Sequence, residues 1–508
     1  MGNSNGLWSH LFDTVIIKYT LNTLFLMIGV AILALTYGVT TAWVVTNYEF
    51  RFKKLFDLLL ILPAACPAYL VAYAYTDFFE FAGPIQGYLR QLMGWQHSTD
   101  YYFPEIRSLG GAIFVLASVL YPYIYLLCRT SFSQTPSSLT EVTSIYGRSK
   151  FWNVCLPLGR PAIIAGLALV SMEVVSDFGT VEFFSLETLT LGIFNVWIGM
   201  NNITAAAQIS IFTFLFIIVL LILEVKSRAQ RRFNDTTSRD RTCNPINLNG
   251  VSIIVPIVVC SVPVLLGFFI PIGILISNVF SSVSLIDLKK LSPILANTLL
   301  ISLTGAVLIV FIATFLASTS YVGGNRFLQF ISNISATGYA FPGTMLAIGV
   351  LVSIGSLDSL LNFLYKLTNW PLGSFYLSGT FGVLLFAYLV RFLAVGYGSA
   401  MSGLSKTSPA LISASRTLGA SFSKTIIKIT IPLIKKSILA GGLLAFVDIM
   451  KELPMTLLLR PFNFETLATF TYQYAHDELM GQASLPALVI IIFGLVPIVY
   501  LNKVLRDG

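Results

Sequence analysis

The 508-residue chain is 56% hydrophobic and only 11% charged, which leaves too few polar side chains to cover a water-soluble globule. Its solvent is therefore read as lipid. A soluble enzyme or a nucleic-acid binder is excluded despite the net charge of +8, because the basic residues sit in short loops between apolar blocks. Those blocks are long enough, at about 20 residues each, to cross roughly 30 Å of hydrocarbon as helices, whereas barrel strands are about half as long and alternate in polarity. The fold class is all-α, a polytopic transmembrane helical protein.

In chain order, Met1 to Thr20 lacks the basic start and small-residue cleavage site of a secretory leader. Eleven apolar spans then follow, at 22–46, 56–75, 109–128, 161–179, 204–224, 251–277, 297–319, 328–355, 379–398, 437–459 and 484–502. If Arg51, Lys53 and Lys54 are cytoplasmic, alternation also puts 129–160, 225–250, 320–327, 399–436 and the C-terminal Lys503 and Arg506 inside. Most of the Lys and Arg fall in these segments. The positive-inside bias thus predicts an outside N-terminus and a cytoplasmic C-terminus. The most polar stretch, 225–250, holds Lys226, Arg228, Arg231, Arg232, Arg239 and Arg241, and reads as a cytoplasmic linker.

On either side of this linker the sequence repeats at a constant offset of 275: Asn22-Thr23-Leu24 against Asn297-Thr298-Leu299, Pro67 against Pro342, and Leu156-Pro157 against Ile431-Pro432. The chain reads as two tandem halves, 1–224 and 251–508, with pseudo-two-fold symmetry. Span 251–277 precedes the second Asn-Thr-Leu helix, and no span precedes the first. One helix is therefore expected either to lie upstream of Met1 or to have been lost.

Ionisable groups at membrane depth are the first place to look for function, because a charge facing lipid is costly. Glu173 and Asp177 lie one helical turn apart, and the offset carries them to Asp448 and Glu452, with Lys451 beside them. Two readings stay open: the four acids converge on a translocation pathway, or they cap and pair locally with Lys451 and Arg460. Acid–base catalysis is disfavoured, since no nucleophile, metal cage or phosphate loop accompanies them. His10, His97 and His476 are isolated, and Cys66, Cys128, Cys155, Cys243 and Cys260 show no metal-ligand spacing.

The second place is a pair of amphipathic loops at equivalent positions, 138–157 and 413–432. The second runs from Ser413 through Arg416 and Gly419 to Pro432, a helix, a Gly break and a second short helix. The first runs from Glu141 through Gly147 to Pro157. Both loops resemble the EAA loop of ABC importer permeases, whose Gly separates two short helices that dock on the ATPase subunit. Gly419 keeps the family's distance of 13 residues to Pro432, with Ser413 in place of the family Glu. Gly147 is only 10 residues before Pro157, so either three residues are deleted or Ser144 takes the Gly position.

The resemblance narrows at Ser171–Phe184, Val447–Pro454, Leu459–Thr469 and Phe103–Gly111, which are similar to the fused two-half permeases of ferric-iron importers. Members of that group usually carry twelve spans. The resemblance implies a non-enzymatic pathway for ferric iron that binds no cofactor itself. Its implied partners are two copies of a cytoplasmic ATPase that bind ATP, a periplasmic or lipid-anchored solute-binding protein, and the inner-membrane lipid. Other small solutes such as thiamine or phosphonate are moved by related permeases. An ion-coupled secondary carrier is the alternative from another class, against which the two large loops speak.

Overall fold

The computed structural model describes residues 10–229, 245–285, 287–323, 326–335, 337–368, 376–405 and 407–506. The chain divides into two compact units, residues 1–283 and 284–508. All long elements in both are helices. The one sheet among the described residues is a two-residue parallel ladder of β1, Tyr48–Glu49, with β2, Ile246–Asn247.

In the first unit, α1 (Ile17–Asn47) leads through β1 to α2 (Lys53–Leu59), α3 (Ala68–Phe79) and α4 (Pro84–Met93). Then come α5 (Leu109–Ser133), α6 (Ser137–Ile145), α7 (Leu156–Ser176), α8 (Gly179–Phe183), α9 (Leu189–Phe194) and α10 (Ile203–Ala229). After β2 the unit closes with α11 (Ile254–Val264) and α12 (Ile270–Ser281). Its centre is the mutual packing of α1, α5 and α7, whose contact faces are small or β-branched: Val30, Ala34, Val115, Ala117, Ala165 and Ala168 are all buried. Small residues let helix axes approach closely where lipid supplies no hydrophobic drive between them.

The second unit begins with α13 (Leu288–Gly323), α14 (Arg326–Ser335), α15 (Gly343–Thr368) and α16 (Phe381–Ser405). It continues with α17 (Pro409–Thr417), α18 (Phe422–Thr425), α19 (Ile431–Met450), α20 (Pro454–Leu459), α21 (Leu467–His476) and α22 (Met480–Arg506). Here α13, α16 and α19 form the corresponding trio around Ile309, Ala313, Ala387 and Ala445.

The span count differs from the eleven read in sequence. Among the described residues eight helices are long and apolar enough to cross a membrane, or nine if the pair 53–65 and 68–93, bent by 90°, is one span. Three predicted windows straddle helix breaks, one of which, 328–355, still leaves the span Gly343–Leu367, while window 204–224 is represented by the shorter apolar helix Ile203–Val219. Window 56–75 contains the short turn Leu62–Ala65 and Pro67, window 328–355 contains Gly338–Pro342, and window 437–459 contains the break before Pro454. In the last case Lys435, Lys436 and Asp448 also lower the apolarity of α19. A sliding window averages over such interruptions and cannot see them. The polar linker falls largely at 230–244, and Cys243 with it, outside the described residues.

Helices α11 and α12 follow the linker in sequence but pack within the first unit. Gly267, between them, lies so close to α5 that a Cβ there would sit 2.1 Å from the Ser118 carbonyl oxygen. Tyr75 donates its hydroxyl hydrogen to the Leu266 carbonyl at 2.6 Å, and Asn278 Nδ2 donates to Asp77 Oδ2 at 2.7 Å. The helix that had no counterpart before the first Asn-Thr-Leu thus covers the first unit.

Candidate translocation and coupling sites

The acidic positions lie where long helices end and short ones begin. α7 stops at Asp177, whose carboxylate turns back on the next helix: Oδ2 accepts from the Val181 N–H at 3.1 Å and Oδ1 from the Thr180 hydroxyl at 3.0 Å. Glu452, at the equivalent position, accepts from the Met455 N–H at 3.1 Å and so caps α20. An anion at a helix N-terminus satisfies an otherwise orphaned N–H and complements the helix dipole. Asp448 pairs with Lys451 at 2.8 Å. Glu173, one turn before Asp177, is half-buried and has no hydrogen bond or ion pair among the described residues. Arg460 pairs with Glu465 at 3.3 Å rather than with one of the four acids.

The second unit adds a cation that the sequence reading passed over. Arg391, on α16, is 7% exposed and its Nη1 donates to Glu452 Oε1 at 3.3 Å, with Glu452 itself 6% exposed. α15 begins against this pair, and Gly343 is required there: a Cβ would lie 2.3 Å from Arg391 Nη1 and 2.6 Å from Glu452 Oε1. The signal was an Arg inside an apolar span, 379–398. A second buried pair was also missed. Asp57 on α2 accepts from Arg129 Nη2 at 2.6 Å and from the Tyr125 hydroxyl at 2.9 Å, tying α2 to α5.

The repeated Asn-Thr motif does the same work in each unit. Asn22 Nδ2 donates to the Glu187 carbonyl at 2.9 Å, and Thr23 Oγ1 accepts from the Leu189 N–H at 3.1 Å. Asn297 Nδ2 donates to the Glu465 carbonyl at 3.4 Å, and Thr298 Oγ1 accepts from the Leu467 N–H at 2.8 Å. Each first long helix thereby holds the loop that follows the acids, and each held loop starts a helix capped by its own Thr, Thr188 or Thr466.

The two amphipathic loops also share a build. α6 ends at Gly147, with φ +63°, and the Arg148 N–H bonds to the Thr143 carbonyl at 3.0 Å. α17 ends at Gly419, with φ +82°, and the Ala420 N–H bonds to the Ser415 carbonyl at 3.0 Å. This is the left-handed helix stop that glycine adopts without strain. Gly147 therefore holds the turn, while Ser144 lies inside α6. Glu141, Ser413 and Arg416 are exposed on their helices, and Pro157 and Pro432 sit in the first turns of α7 and α19. Large apolar groups are left uncovered nearby: Ile145, Tyr146 and Trp152 in the first loop, and Leu411, Leu418 and Ile427 in the second.

Within the first unit these features sort to two ends. Trp43, at the end of α1, contacts the rings of Tyr48, Phe132 and Phe151, which gathers the first amphipathic loop, the β1–β2 ladder and the basic 51–54 turn. At the other end, Phe79, Glu80, Phe103 and Arg107 line a cleft of about 820 Å³, where Arg107 Nε pairs with Glu80 at 2.5 Å. Among the described residues no group of three or more His, Cys, Asp or Glu is arranged to hold a metal ion.

Residues 15–232 match the family described as "Binding-protein-dependent transport system inner membrane component". These findings support an ABC-type importer permease. A permease of this family is the non-catalytic transport component, and ATP is bound by a separate subunit. Along its length the permease is 24% identical over 498 residues, 95% of the chain and 89% of the relative, to Fe(3+)-transport system permease protein FbpB 2 of Haemophilus influenzae. Ferric transport system permease protein FbpB of Actinobacillus pleuropneumoniae is 19% identical over 97% of the permease and 72% of the relative. Sulfate transport system permease protein CysW of Escherichia coli is 24% identical over 43% of the permease and 76% of the relative.

Proposed function

We propose that this permease forms the membrane pathway of a ferric-iron importer. Iron is delivered by a periplasmic or lipid-anchored binding protein, and transport is driven by two copies of a cytoplasmic ATPase. The observation that carries the substrate is coverage. Relatives named for ferric transport align with 87–97% of the chain, through residues on both sides of the linker, whereas the sulfate relative aligns with 43%. Asp448 and Glu452 are ion-paired within their own unit, whereas Glu173 and Asp177 have no ion-paired Lys or Arg among the described residues, and such acids suit a cation better than an oxyanion.

In this reading the homologous halves 1–224 and 251–508 enclose the pathway with pseudo-two-fold symmetry, joined by the cytoplasmic linker 225–250. The loops 138–157 and 413–432 dock on the ATPases, the left-handed Gly147 and Gly419 fixing the angle between their helices and the exposed Trp152, Leu418 and Ile427 supplying apolar contacts. The gathering of Arg51, Lys53, Lys54, Arg148 and Lys150 at one end of the first unit supports a cytoplasmic position for that end, with the N-terminus outside and the C-terminus inside.

The test is uptake of radioactive iron into vesicles holding the permease with its ATPase and binding protein. ATP-dependent iron uptake, unaffected by excess sulfate, molybdate, thiamine or phosphonate, is the expected result. Uptake of one of those solutes without iron would overturn the substrate. Transport driven by an ion gradient with no ATPase present would overturn the importer reading itself.

A further inference from the structure

Each unit carries a short helix just after its first long one, α2 in one and α14 in the other. The 275 offset that relates Asn22 to Asn297 also relates Arg51-Phe52 to Arg326-Phe327, Leu55 to Phe330 and Leu59 to Ile334. Both segments thus keep large apolar residues at i, i+3 and i+7; these share one helical face in α14, while in the first segment Phe52 precedes α2 with a left-handed backbone, φ 72°, and Leu55 and Leu59 lie on the helix. Most of these residues are not folded inward: Phe52 is 53% exposed, Leu55 50%, Phe327 66%, Phe330 62% and Ile334 55%, while Leu59 is half-buried. Other residues hold each helix to its own unit. α2 buries Phe56 beside Phe50 and Asp57 against Arg129 and Tyr125, while α14 buries Ser332 and packs on α13 and α16.

What covers the stripes follows from their place in the chain. α14 is the short connection between the apolar segments 288–322 and 343–367, and α2 directly follows the segment 12–47 and opens the bent pair. Connections this short keep the helices at the edge of the bilayer, where apolar side chains reach the upper acyl chains and basic ones the headgroups. Arg51, Lys53 and Lys54 flank the first stripe and Arg326 opens the second, and the Arg51 guanidinium lies 5.1 Å from the Phe52 ring centroid. Rings toward acyl chains with cations beside them are complementary to a negatively charged leaflet.

We propose that α2 and α14 are interfacial anchors that bind anionic phospholipid, the apolar stripe of each in the acyl boundary and the basic residues at 51–54, with the single Arg326 that opens α14, supplying the charge for the phosphates. The docked ATPase is the other surface within reach, and the test separates the two. The full-length chain is placed in nanodiscs of mixed phosphatidylcholine and phosphatidylglycerol, and the lipid retained on extraction is counted by native mass spectrometry. Phosphatidylglycerol is expected to be enriched over its bulk share. Each Lys or Arg near an anionic surface contributes about 1 kcal/mol, roughly fivefold, so the combined Arg51→Gln, Lys54→Gln, Arg326→Gln variant should lose at least about fivefold of that enrichment. Equal retention by wild type and variant overturns the proposal. Independently, a fluorophore on Phe330→Cys should be quenched by brominated lipid with or without the ATPase. A fluorophore untouched by brominated lipid, and shielded from aqueous quencher only when ATPase is added, assigns the stripe to the ATPase and overturns it as well.

Discussion

Replacing Arg391 with Met should destabilise the second unit severely, and the magnitude follows from its surroundings. Arg391 and Glu452 are 7% and 6% exposed, and α15 abuts them so closely that Gly343 has no room for a methyl group. Removing one partner leaves the other charge buried and unpaired, which costs about 3–5 kcal/mol. Glu452→Gln should cost a similar amount, because its amide oxygen still caps Met455 while Arg391 loses its counter-charge. The double variant, Arg391→Met with Glu452→Gln, carries neither charge. Its loss should fall to about 1 kcal/mol, that of one ordinary hydrogen bond. The double-mutant cycle therefore predicts a coupling of several kcal/mol, with the second substitution rescuing the first. At about 2–4 °C per kcal/mol for a unit of this size, each single variant should melt roughly 6–20 °C below wild type in nanodiscs, read by calorimetry. If the two single losses simply add in the double variant, or if each is below about 1 kcal/mol, the pair does not hold α15, α16 and α20 together.

Three further outcomes follow. Thr23→Val and Thr298→Val each strand a buried N–H, of Leu189 and Leu467, and should each cost about 1–3 kcal/mol with faster amide exchange in the loop concerned; unchanged exchange would refute the tether. Gly419→Val meets no neighbouring atom but forces a β-branched residue to φ +82°, so it should leave the permease in the membrane, cost about 1–2 kcal/mol locally and uncouple ATP hydrolysis from transport; normal coupling in vesicles would remove the loop from that role. Asp177→Asn should keep its hydroxyl bond with Thr180 and lower iron uptake if the charge meets the cation, whereas raised leak would mark it as part of a gate; neither change at normal expression would exclude it from the mechanism.

Much of the helical plan was legible because apolar block length is a direct consequence of bilayer thickness, as for 109–133 or 250–281. The breaks were not, since Pro67, Gly338 and Pro454 interrupt a helix without lowering the mean apolarity around them. The recurrence of Asn-Thr at 22–23 and 297–298 was visible, but not what the side chains do, which is to accept from a backbone N–H more than 160 residues away. The acids were found and their immediate partners were not: Glu452 finds Arg391 across 61 residues, a relation without local periodicity. That the helix of the first loop stops at Gly147 and not at Ser144 is a matter of a backbone dihedral, φ +63° at Gly147, which no residue pattern displays.

The placement of residues 245–283 in the first unit means that the chain's compositional boundary and its packing boundary do not coincide. A break made in the polar linker would not release two self-sufficient pieces, for the leading fragment would lose the helices that seat against Ser118 and Tyr75 and the strand paired with Tyr48. Such fragments would have to find one another before the leading one was complete. Covalent fusion makes that encounter intramolecular, and a split gene for this architecture would need synthesis of the two products to be balanced.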